Sequence, residues 1–160
     1  MASQRRRPDL STAIDAPASS AARSEAGPLL QLLDALRPGG LLRVYVPSKD
    51  RNGRRIRRRR SLLRKMEVAL SAISGGTTCL SARGTYRSRL GAFVGERVTV
   101  LETYLQRGMD FEARLRIIAR LVQLLEDTEQ EALAVALDQK FFLLPNPCLA
   151  GSATPSGVRQ

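Results

Sequence analysis

Histidine is absent from the 160 residues, and tryptophan with it. Without histidine there is no Ser-His-Asp or Cys-His nucleophile, no imidazole metal ligand and no imidazole proton shuttle. Aromatic side chains make up only 4% of the chain, so its core must be aliphatic, and the 43% of apolar residues suffices to build one. Cysteine occurs twice, at Cys79 and Cys148, with no CxxC pair. That excludes a zinc site and reads as two reduced, buried thiols of an intracellular protein. No run reaches the ~18 apolar residues that a membrane-spanning helix needs. The basic start, Met1–Arg7, leads into Pro8-Asp9-Leu10-Ser11 instead of an apolar segment, so no secretory signal is read and a cytoplasmic location is expected.

What is present is organised. Residues 1–27 are rich in Ala, Ser, Pro and Arg and cannot offset their ordering entropy, so they read as a basic, disordered tail. Residues 150–160 read the same way, which leaves one domain over 28–149. Within it, Pro28–Leu36 carries a leucine stripe at helical spacing, with Pro28 suited to a first helical position. Leu41–Pro47 alternates as a strand. Ser61 is placed to cap a helix running to Ser74, which Gly75-Gly76 ends. A strand over Thr77–Ser88, a hairpin loop over Arg89–Gly95 and a strand over Glu96–Gln106 follow. Asp110 caps a helix from Phe111 to Thr128 whose core stripe reads as Phe111, Leu115, Ile118, Val122 and Leu125. Glu131–Leu144 is a last strand, or a hairpin bent near Asp138-Gln139.

This order, β-α-β-β-α-β, is the ferredoxin-like one. It predicts an α+β fold with a four-stranded antiparallel sheet, two long helices on one face and a short N-terminal helix. The other sheet face is open unless the short helix or a second copy of the chain covers it, so a homodimer through that face is expected. Glu102 is placed to face the open side, and Tyr45, Tyr86 and Tyr104 read as packing or interface residues. The other acids, Glu96 and Glu131 among them, form no motif.

Charge is the most unusual feature. Lys+Arg 26 against Asp+Glu 15 gives +11, and residues 1–65 carry all of it, with 16 basic and 5 acidic side chains. Lys49–Lys65 holds ten basic side chains and one acid, Asp50. Cations ahead of a helix N-terminus oppose the helix dipole at about 0.3–1 kcal/mol each. A chain that keeps them there is expected to meet an anion. Arg54, Arg55, Arg57, Arg58, Arg59, Arg60, Arg64 and Lys65 are therefore read as phosphate contacts of a non-catalytic accessory protein docking on DNA, RNA or another polyanion. An acidic protein surface is the second partner that this charge suits. No cofactor is expected.

One enzyme reading stands third. Asp50 follows the first strand, and in that position it resembles the acid of the small ferredoxin-like CRISPR-associated nucleases. The resemblance implies a metal-dependent nuclease in which Asp50 and its dimer mate hold Mg²⁺. Beside it stands the reading of Asp50-Arg51-Asn52-Gly53 as a turn.

Overall fold

Leu42, Val44 and Val46 alternate with Leu41, Arg43 and Tyr45 along β1 (Leu41–Pro47); the first set is fully buried and the second half-buried. The computed structural model describes residues 20–87 and 93–150. In it, β1 is the central strand of an antiparallel sheet. Its neighbours are β3 (Phe93–Tyr104) and β4 (Ala132–Leu137), with β2 (Thr78–Arg87) beyond β3 and β5 (Lys140–Pro145) beyond β4. The α+β class and the antiparallel sheet agree with the sequence reading. The strand count does not: the order β2-β3-β1-β4-β5 has five strands rather than four.

The fifth strand comes from the hairpin alternative. Asp138 takes a left-handed φ of 53°, which the short Asp side chain tolerates in a turn. Its Oδ1 accepts from the Leu41 amide at 2.8 Å, and its own amide donates to the Leu41 carbonyl at 2.9 Å. The turn is thereby pinned to the start of β1 and Glu131–Leu144 must fold back.

Helices α1 (Ser20–Ala35), α2 (Arg59–Ser74) and α3 (Phe111–Asp127) share one face of the sheet; a short α4 (Pro147–Ala150) follows β5. Leu32 and Leu36 join Met66, Leu70, Ile117, Leu121, Leu133 and Leu144 in one aliphatic core. Helix α1 starts eight residues before the expected Pro28, so Pro28 is interior. The preceding Ala21, Ala22, Glu25 and Ala26 are good helix formers, which offsets the missing amide. Residues 1–19 and 151–160, and most of the loop expected at Arg89–Gly95, lie outside the described residues.

Two helix details correct the sequence reading. Ser61 does not cap α2; the cap position is Arg58, left-handed at φ 53° and without a side-chain cap bond. Arg59 and Arg60 therefore form the first turn itself. On α3, Asp110 caps as expected, accepting from the Ala113 amide at 2.7 Å. The buried stripe, however, is Ala113, Ile117, Leu121, Leu124 and Leu125, while Phe111 and Leu115 are exposed. The helix is apolar over two adjacent faces, and the sheet takes the one that spacing alone did not single out.

Both cysteines are free, as expected, but exposed rather than buried. Among the described residues no helix is long and apolar enough to cross a membrane.

Candidate functional site on the open sheet face

Among the described residues no helix covers the second face of the sheet. Register places Leu80, Ala82, Val98, Val100, Tyr45, Ala134 and Leu143 across it from edge to edge. Near its centre Arg43 and Glu102 oppose each other directly and pair at 2.6 Å. That bond raises the Arg43 pKa above its usual value. Glu102 thus faces the open side, as its strand position implied.

One end of this face is walled by the loop between β1 and α2, and a carboxylate from β3 shapes that loop. Glu96 Oε1 accepts from the Ser48 amide at 2.9 Å, the Lys49 amide at 2.8 Å and the Ser48 hydroxyl at 3.2 Å. Its second oxygen has no partner among the described residues. From the other side Gln130 donates to the Lys49 carbonyl, and the Arg51 amide donates to the Glu129 carbonyl at 3.4 Å. Ile56 is buried beneath the loop and its amide returns to the Ser48 carbonyl at 3.2 Å. A long, basic loop is thereby held in one shape by three neighbours.

Between loop and sheet lies a cavity of about 660 Å³, within the usual range for small-molecule sites. Its floor is apolar: Val98, Ala132, Ala134 and Leu143, with Tyr45 and Phe141 tilted at 52° and their ring centroids 6.3 Å apart. Its rim is charged. Glu96, Asp50 and Glu131 supply carboxylates, and Lys49 and Arg51 supply cations. An apolar slot with aromatic rings suits a flat ring system. Carboxylates at one end suit a cation, and cations beside them suit a carboxylate.

The residues singled out for phosphate contact do not converge here. Arg54, Arg55, Arg57, Arg58, Arg60, Arg64 and Lys65 are exposed, and Arg64 pairs with Glu67 at 3.1 Å one turn along α2. Arg59 points inward. Its guanidinium donates to the Pro47 carbonyl at 2.9 Å, the Val46 carbonyl at 3.0 Å and Thr99 Oγ1 at 2.7 Å. It closes the end of β1, and burial lowers its pKa from the usual value. Asp50 is the turn residue of the alternative reading: Oδ1 accepts from the Asn52 and Arg54 amides, both at 2.8 Å. No group of three metal-ligating side chains exists among the described residues. The Asp50 carboxylate thus shapes its own loop through Oδ1.

Glu96, Phe141 and Leu143 were missed as site residues. A signal for Glu96 was present: it continues the row Val100, Val98 on one face of β3, so an acid ends an otherwise apolar row. Phe141 and Leu143 could not be placed while the last strand stood unresolved between one strand and two.

No protein-family model matches the chain, and no curated protein does. Solved structures do share its fold. A phage SAM lyase in complex with S-methyl-5'-thioadenosine superposes with a TM-score of 0.52 at 20% identity, covering 69% of this chain and 92% of that one. A phage SAM lyase in its apo state gives 0.51 at 18% identity, covering 68% and 90%. Both are structures of an enzyme. This overturns the expectation of a non-catalytic accessory protein docking on nucleic acid.

Proposed function

We propose that this chain is an enzyme that cleaves a sulfonium nucleoside of the S-adenosylmethionine class, releasing a neutral thioether. The observation that carries the reading is the cavity under the Ser48–Ile56 loop: an aromatic, apolar floor with carboxylates and cations on one rim. Such a substrate has a flat purine, a sulfonium and an ammonium cation, and a carboxylate. Tyr45 and Phe141 offer faces for the purine, Glu96 and Glu131 a counter-charge for the cations, and Lys49 and Arg51 a counter-charge for the carboxylate. The shared fold supports the choice of substrate class; at 20% identity it supplies no residue roles.

The reaction class also suits a chain without histidine. As the substrate's own carboxylate oxygen bonds to the carbon and closes a lactone, the sulfonium leaves with the C–S electron pair as an uncharged thioether, so the leaving group needs no proton. The demands on the protein are orientation and exclusion of water. Glu96 is well placed for orientation because backbone amides already hold one of its oxygens and leave the other for a ligand. Incubating the protein with S-adenosylmethionine and separating the products by chromatography tests the reading. The expected result is S-methyl-5'-thioadenosine released in proportion to enzyme; intact substrate after prolonged incubation would sink it.

Exclusion of water is assigned to a second copy of the chain. The cavity opens on the side where Phe141 is 65% and Leu143 60% exposed, and these continue an apolar sheet face. Docking of this face on another copy would bury both and roof the site. The β2-β3-β1-β4 strands would then form a ferredoxin-like core, with β5 an added edge that extends the docking face. Light scattering on a size-exclusion column is expected to show an oligomer for the parent chain and a monomer for Leu143→Asp. A monomeric parent would remove the roof from the proposal.

A further inference from the structure

The cleavage reading leaves the arginine run unused, and part of that run has a geometry of its own. A second cavity of about 850 Å³ lies where the β1–α2 loop, the first turn of α2 and the ends of β2 and β3 meet. Lys49 and Arg55 reach it from the loop, Arg59 and Arg60 from α2, and Arg83 and Arg97 from the sheet. Six cations therefore surround one carboxylate, that of Glu96, which already serves the Ser48 and Lys49 amides. None of Arg55, Arg60, Arg83 and Arg97 has an acidic partner among the described residues.

Two features of this cluster oppose folding unless an anion is present. Arg83 and Arg97 are direct cross-strand partners, and like charges in that position repel. Arg59 and Arg60 occupy a helix first turn, where the backbone dipole disfavours cations.

We propose that this cavity is a binding site for a small molecule carrying a di- or triphosphate group, separate from the sulfonium site. The excess of five positive charges calls for a multiply charged anion rather than a single carboxylate. Planar guanidinium forks from three elements match the spread of oxygens on a phosphate chain. The site shares Lys49 and Glu96 with the aromatic cavity on the opposite face of the sheet. A bound phosphate chain would therefore stiffen the loop that walls the sulfonium site. The binding claim stands without the cleavage reading, since Arg55, Arg60, Arg83 and Arg97 lie outside the sulfonium cavity and the test uses no substrate.

The test is calorimetric titration of the full chain with inorganic tripolyphosphate at about 50 mM salt, where screening is modest. Saturable binding at one site per chain is expected. Arg83→Gln with Arg97→Gln should weaken it by about tenfold or more, because charge-assisted contacts are lost. Arg54→Gln with Arg57→Gln, on the same loop but outside the cavity, should change it less than about twofold. All four side chains stand at the surface, and Arg60→Gln provides an independent variant if the strand pair lowers the melting temperature. Absence of saturation, equal losses for the two pairs, or orthophosphate binding as tightly as tripolyphosphate would each overturn the proposal. The second outcome would mean diffuse positive charge, the third a site for single anions.

Discussion

Glu96→Gln is expected to lower kcat/KM for S-adenosylmethionine by about ten- to a hundredfold while leaving the melting curve almost unchanged. The two outcomes separate because the two oxygens of Glu96 have different duties. Oε1 accepts from the Ser48 and Lys49 amides, and the glutamine carbonyl can take over both bonds. The negative charge is lost, and with it the counter-charge for a cationic substrate, a contact worth about 1.5–3 kcal/mol. Glu96→Ala removes both duties. It should lose the same activity and also cost about 1 kcal/mol in stability, since the half-buried Ser48 amide is left unpaired. Denaturant melts beside initial rates read both quantities. A glutamine variant as active as the parent would show that the charge plays no part in turnover.

Leu121→Ala should destabilise the fold by about 2–5 kcal/mol, a large share of the total for a single domain. Leu115→Ala, one and a half turns earlier on the same helix, should cost less than about 1 kcal/mol. Leu121 is fully buried among Leu32, Ile117, Leu125 and Leu133, whereas Leu115 is 42% exposed. The pair measures which face of α3 meets the sheet, and equal losses would mean that the helix is rotated from its position here.

That comparison also shows how far the sequence could be read. Strand β1 was legible residue by residue because only one of its faces is aliphatic: Leu42, Val44 and Val46 alternate with a charged and an aromatic residue. The ends of α3 were legible because Asp110 caps one of them and the heptad-like spacing stops at Thr128. Its rotation was not, because Phe111 and Leu115 make as good a stripe as Ile117 and Leu121. Periodicity identifies an apolar face only when there is one. The added edge strand depended on whether Asp138 would adopt a left-handed backbone, a choice that its contact with Leu41 decides across 97 positions of chain.

The candidate site was less legible than the fold. Its walls come from β1, β3, β4, β5, the β1–α2 loop and the α3–β4 connection, so no short motif contains it. The arginine run dominated the reading because it is contiguous. The structure divides that run instead: Arg59 ties down the end of β1, Arg55 and Arg60 join Arg83 and Arg97 in a pocket, and the rest face outward. Glu96 was one acid among several until its place above the Ser48 amide became visible.

The two thiols have a practical consequence. Cys79 lies on β2 at one edge of the sheet, and Cys148 follows β5 at the other. Four strand spacings of about 4.8 Å put nearly 20 Å between those edges, far beyond the reach of a disulfide. Oxidation must therefore join separate molecules, and storage without a reductant would yield covalent chains rather than an internal crosslink. Cys148 donates to Glu126 at 3.3 Å, which raises its pKa and disfavours the thiolate. Alkylating dyes should consequently attach there slowly near neutral pH.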